Sequence, residues 1–162
     1  MQNTLPFSRR TILAGLGALP VLGSLALSAG AEALPPVTVA KDPSCGCCDG
    51  WVAHLEAAGF PVRVVESAHM QSVKDQLGVP ADLASCHTAV VAGYVIEGHV
   101  PATAISRLLA GRPAGIGLAV PGMPAGSPGM EMPGVEPEAY DVFLFDGSGH
   151  RGFLRFRGAR EI

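Results

Sequence analysis

The fold turns on the reading of Val37-Thr38-Val39-Ala40-Lys41-Asp42-Pro43-Ser44-Cys45-Gly46-Cys47-Cys48-Asp49-Gly50-Trp51. Val37 to Ala40 reads as a short buried strand. Lys41 to Ser44 lead into a cysteine loop. From Gly50 the pattern turns helical, with Trp51, Val52, Leu55 and Ala58 on one face and Gly59 as the stop. Three of the four cysteines sit within four residues, and the fourth, Cys86, is followed at once by His87. Disulfides alone do not need this layout. A bridge between the neighbours Cys47 and Cys48 closes a strained ring, because good bridges want Cα atoms roughly 4.4–6.8 Å apart. Packed thiolates are instead a natural cage for a soft ion such as Cu(I) or Zn(II).

Working outward, Pro61 to Val65 reads as a second strand. His69 to Leu77 reads as a second helix with Met70, Val73 and Leu77 inward and Gly78 at its end. Thr88–Val91 and Tyr94–Glu97 flank Ala92-Gly93 as a hairpin. Pro101 to Ala110 forms a third helix, opened by proline and closed by Gly111. Strand, helix, strand, helix, hairpin, helix is the order of a thioredoxin-like α/β domain, with the cysteine loop at the start of the first helix. Residues 114–137 are rich in Gly, Pro and Met, and the pattern predicts neither helix nor central strand there. Tyr140–Phe145 and Gly152–Phe156 alternate as a C-terminal β-hairpin extension.

The beginning of the chain reads as an export signal. Ser8-Arg9-Arg10-Thr11-Ile12-Leu13 is a twin-arginine pattern, and an apolar stretch from Ile12 to Leu27 follows it. Small residues offer cleavage at Ala29-Gly30-Ala31 or Ala31-Glu32-Ala33. The apolar run is about 16 residues, broken by Gly and Pro, short of the roughly 20 that a spanning helix needs. The expectation is a cleaved signal over residues 1–33, a periplasmic destination, no stable membrane insertion afterwards, and one metal-binding domain over residues 34–162. From Leu34 onward, 9 Lys and Arg face 13 Asp and Glu, a balance of −4. With no basic run, nucleic acid and anionic membrane are poor partners.

The residues leave three chemistries open. A helix N-terminus favours thiolate, so Cys45, Cys47 and Cys48 suit metal ligation. Cys45 and Cys48 also have the spacing of a dithiol redox motif. A structural disulfide, Cys45–Cys48 or a loop thiol with Cys86, is the bland alternative. Cys47 favours metal, since a redox pair does not need it. Cys86-His87 precedes the hairpin, where the layout brings it up to the first helix with the His87 imidazole as a candidate ligand beside the sulfurs, and His99 lies on the same rim as a ligand or a contact of one. His54 falls on the polar face of its helix, where solvent exposure is expected; His69 and His150 have no assigned role. Met123, Met130 and Met132 lie in the Gly/Pro loop, either as adaptable apolar plugs or, Met123 foremost, as soft ligands or guides for Cu(I). Trp51 is expected to pack in the core and hold the helix start.

Together, several long motifs carry a resemblance. These are Cys45-Gly46-Cys47-Cys48 with Trp51, Val79-Pro80, Ser85-Cys86-His87-Thr88-Ala89, Gly93-Tyr94 and Ile96-Glu97-Gly98-His99-Val100-Pro101-Ala102. Gly117-Leu118-Ala119-Val120-Pro121-Gly122-Met123-Pro124 and Gly126-Ser127-Pro128-Gly129-Met130-Glu131 complete the set. The chain resembles the DUF411 family, which includes the CopG-type periplasmic proteins of copper resistance. The resemblance spans nearly all of residues 34–162. It implies a thioredoxin-like fold and copper tolerance through Cu(I) held in a cysteine thiolate cluster of one or more coppers, with Cys45, Cys47, Cys48 and Cys86 as ligands. It also implies copper redox or transfer activity, with efflux components or copper chaperones as partners. The competing class is a thiol–disulfide oxidoreductase.

Overall fold

Val37 and Val39 alternate with Thr38 and Ala40, and the alternation becomes β1 (Val37–Lys41), with both valines wholly buried. The computed structural model describes residues 33–162. The twin-arginine pattern and apolar segment lie outside the described residues, as do Ala29-Gly30-Ala31 and all but the last residue of Ala31-Glu32-Ala33. Among the described residues, no helix is long and apolar enough to cross a membrane.

After β1 come α1 (Gly46–Ala57), β2 (Val62–Glu66), α2 (Met70–Gln76) and a 3₁₀ turn at Ala81–Leu83. The chain continues through β3 (His87–Val91), β4 (Tyr94–Glu97), α3 (Ala102–Gly111), β5 (Gly117–Ala119), β6 (Ala139–Asp146), β7 (Gly149–Arg157) and β8 (Arg160–Glu161). Among the described residues, eight strands form one sheet in the order β2-β1-β3-β4-β5-β6-β7-β8. β1 runs parallel to β2 and antiparallel to β3, so the end of β1 and the start of β3 meet at Lys41 and His87. That register brings Cys86 up to the cysteine loop.

Side chains alternate across a sheet, and the central strands β3, β4 and β5 are buried on both faces. Val37, Val39, Ala89, Ile96, Leu118 and Leu144 pack in one core with Trp51 and Leu55 of α1 and Ile105 and Leu108 of α3. Val95, Ala119 and Phe145 face the other way, against Val79 and Leu83 beside the 3₁₀ turn.

The structure corrects three expectations. β5 is a central strand inside the segment expected to hold none, and it joins the C-terminal hairpin to the main sheet. Pro113 and Pro121 bracket a proline-free run that keeps its amides. Ile116 N–H donates to the Phe145 carbonyl and Val120 N–H to that of Glu97. Gly117 is there because β4 passes so close that a Cβ would run into the Val95 carbonyl. Second, α1 buries Cys48, Trp51 and Leu55, whereas Ala58 is exposed at its C-cap. Third, Gly111 lies within α3, and Arg112 takes the left-handed turn (φ 41°) that ends it, with Pro113 unable to donate further.

Candidate metal centre

The cysteine loop is set by the end of β1. Lys41 is buried there, its Nζ 2.9 Å from Asp49 Oδ1 in the first turn of α1. Asp42 Oδ1 accepts the Ser44 N–H at 2.8 Å and closes the turn between them. Cys45 is then the N-cap of α1, and Cys48 lies one helical turn on. These two are joined as a disulfide, with Cα atoms 5.5 Å apart, while Cys47 and Cys86 are free thiols. This is one of the bridges the sequence left open. Cys47 Sγ lies 3.6 Å from Cys45 Sγ and 3.8 Å from Cys86 Sγ. All four sulfurs fall within 4.8 Å of one another.

The second side comes from β3 and the loop before α3. Cys86 Sγ is 3.5 Å from His87 Nδ1 and 3.0 Å from His99 Nε2, and these three residues form a second donor group able to hold a metal ion. His87 and His99 are fully buried, with ring centroids 5.0 Å apart. Trp51 packs at 4.3 Å from His87 and donates its Nε1–H to the Val100 carbonyl at 2.8 Å. It is wholly buried, as expected, and ties the start of α1 to the histidine side.

The Gly/Pro/Met segment closes over both sides. Pro128 O lies 2.8 Å from His99 Nδ1. Gly129 (φ +85°) lies so close to α1 that a Cβ on it would sit 2.6 Å from Trp51 N and 2.7 Å from Cys47 O. Met123 and Met132 stand exposed, unlike core plugs, and Met130 is half-buried. Met123 lies at a cleft of about 370 Å³ that Gln71, Lys74, Ser85 and Cys86 also line. His54, expected in solvent, is half-buried: its Nε2 accepts the Ala102 N–H at 3.1 Å, satisfying a free amide at the start of α3.

Two buried charges escaped the sequence reading. Glu97 is wholly buried and pairs with buried Lys74 at 2.5 Å. Glu97 Oε1 also accepts the Ser85 N–H at 2.6 Å, and Oε2 accepts the Thr88 hydroxyl at 2.7 Å. Lysine on a short helix ordinarily reads as solvated surface. Only the lone Glu97 at the end of an apolar strand hinted at a buried partner.

The DUF411 family profile, described as a protein of unknown function, matches residues 83–130. Two solved forms of the copper resistance protein CopG are similar over most of the chain. Form 2 is 44% identical, with a TM-score of 0.71, over 76% of this chain and 98% of that one. Form 1 is 45% identical, also with a TM-score of 0.71, over 77% of this chain and 99% of that one. The chain belongs to the DUF411 family of CopG-type proteins. None of the curated proteins matches it.

In this DUF411 chain the electrostatics separate the second side from the loop. Burial pushes the Cys86 thiol up to about 11, with the neighbouring Cys47 adding to the rise, so Cys86 is protonated at neutral pH. Burial first, then the repulsion that a charged His87 would meet from Lys74 and from any proton on His99, pushes His87 down to about 3. Burial also lowers His99. Both rings are therefore neutral. A carbonyl can only accept, so His99 Nδ1 carries the proton toward Pro128, and the Nε2 lone pair faces the Cys86 thiol. His87 Nε2 is buried with no hydrogen-bond partner among the described residues. The donor set is thus neutral imidazole and sulfur, which fits a soft or borderline metal far better than Ca(II) or Mg(II).

Proposed function

We propose that this chain is an exported, periplasmic copper-binding protein that protects against excess copper by holding Cu(I) in a cysteine cluster. The observation that carries the reading is the convergence of the Cys45, Cys47, Cys48 and Cys86 sulfurs within 4.8 Å. Reducing the Cys45–Cys48 bridge takes two electrons and two protons from an external dithiol and frees two more thiols. Each thiol then releases a proton to solvent as it takes up metal, and the His99 Nε2 lone pair stays free beside the Cys86 sulfur. Four thiolates in so small a volume suit more than one Cu(I). His87 and His99 complete the donor set, and Met123 supplies a thioether beside Cys86. CopG being a copper resistance protein supports the choice of copper.

The order β2-β1-β3-β4, with the cysteine loop between β1 and α1, supports a thioredoxin-like reading of the domain over residues 34–162. Residues 1–33 serve as the twin-arginine export signal, and copper passes to efflux components or chaperones. The Cys45–Cys48 disulfide favours a second reading, thiol–disulfide exchange on proteins. Cys47→Ser separates the two. A cluster protein loses copper stoichiometry, measured by metal analysis after Cu(I) loading of reduced protein. A dithiol enzyme keeps its activity, and unchanged copper content would reject the cluster.

A further inference from the structure

The Lys74–Glu97 pair is a buried polar network with no part in the donor set. Lys74 comes from α2, Glu97 from β4 and Thr88 from β3, where Thr88 and Glu97 are cross-strand partners. Lys74 Nζ bonds both Glu97 Oε1, at 2.5 Å, and Thr88 Oγ1, at 2.9 Å. Burying such a pair costs desolvation that its attraction barely offsets, and neutral replacements of similar volume are often equally stable. Stability alone does not account for it. Position does: Glu97 Oε1 also holds the Ser85 N–H, and the next residue is Cys86. Ser85 Oγ in turn bonds the Gly122 carbonyl at 2.5 Å, and Gly98 lets this strand end approach, since a Cβ there would sit 2.6 Å from Ser85 Oγ.

We propose that Lys74 and Glu97 are positioning residues that fix the Cys86 sulfur opposite Cys47, setting the site's affinity for Cu(I). The affinity half rests on the copper reading above; the positioning half does not. Lysine holds the carboxylate in one rotamer, the carboxylate holds the Ser85 amide, and the amide sets where β3 begins. Three elements are thereby locked to one sulfur. The 3.8 Å gap between Cys47 and Cys86 depends on that lock.

The test needs no copper at first. In the full chain carrying Cys45→Ser and Cys48→Ser, the Cys47/Cys86 pair is equilibrated with reduced and oxidised glutathione. Each bridge formed sends two electrons and two protons to oxidised glutathione, so the equilibrium reads the effective concentration of one thiol at the other. Adding Lys74→Met with Glu97→Gln is expected to lower that concentration at least tenfold. A merely stabilising pair would move the melting temperature and leave the equilibrium where it was, which would overturn the proposal. Thr88→Val, which removes one hydroxyl only, gives a milder change of about threefold should the double variant fail to fold; no change in it would equally overturn the proposal. With all four cysteines present, the double variant is expected to bind Cu(I) at least tenfold more weakly against a chromophoric chelator. In a Cys86→Ser background the same change should have no effect; an equal loss there would show that the pair acts elsewhere. A parent that binds no Cu(I) while the glutathione equilibrium still shifts would reject the copper reading and support the positioning one.

Discussion

Cys45, Cys47 and Cys48 come together because they are neighbours across one turn of α1, whereas Cys86 and His99 meet from positions thirteen residues apart. The first side needs only a strand end and a helix start. The second needs the β3–β4 pairing, the Pro128 carbonyl and the Lys74–Glu97 pair. The first side is therefore robust to distant change, and the second is where change elsewhere in the fold reaches the sulfur. The chemistry divides the same way. The loop holds a disulfide beside a free thiol, while the histidine side holds a protonated thiol against neutral rings.

Acid should produce the largest effect, and it falls on the second side. His87 titrates at about 3 in the folded chain against 6.5 for an ordinary histidine. The unfolded chain therefore takes up its proton first. The stability tied to the neutral ring is full above pH 6.5 and drains as pH falls toward about 3, at up to about 1.4 kcal/mol per pH unit. His54 and His99 are shifted the same way by burial and add to the loss. Denaturant melts between pH 7 and 4 should show this slope, and His87→Phe should flatten it. A flat profile in the parent would place His87 in contact with water.

Gly129→Ala should be next in size. Its Cβ would press on backbone atoms of α1, at Trp51 N and Cys47 O, and its φ of +85° disfavours any side chain. A loss of about 2–3 kcal/mol is expected from denaturant melts. The loop would lift, Pro128 would leave His99, and Cu(I) uptake should weaken while Cys45–Cys48 bridge formation stays unchanged. Equal damage to bridge formation would erase the contrast between the two sides.

Met123→Leu should be the smallest. Met123 is 53% exposed, so a near-isosteric swap should cost well under about 1.5 kcal/mol. Copper stoichiometry should hold while the rate of Cu(I) uptake falls, by stopped-flow competition with a chelator, because the cleft it borders leads to Cys86. An unchanged rate would remove Met123 from the path and leave the second side to its histidines.

What the amino-acid sequence reveals divides along the same line. β1, α1, β2 and the β3–β4 hairpin have periods or turn signals of their own, and so were legible. β5 was not, because three residues carry no period and the surrounding prolines dominate the composition. His54 was misplaced since a helix face says nothing of which amide from a distant helix will abut it. The four cysteines and the two histidines beside Cys86 stood out by residue type. Pro128's part is played by a backbone carbonyl, which no residue type announces. Lys74 became visible only once β4 set Glu97 beside it.

Whether the cysteine sulfurs hold Cu(I) is decided by copper absorption at the K edge of reduced, Cu(I)-loaded protein. Sulfur scattering is expected to dominate the first shell, with a minor nitrogen contribution from His87 or His99 that disappears only when the histidines are replaced. A first shell made of nitrogen and oxygen neighbours alone would contradict it.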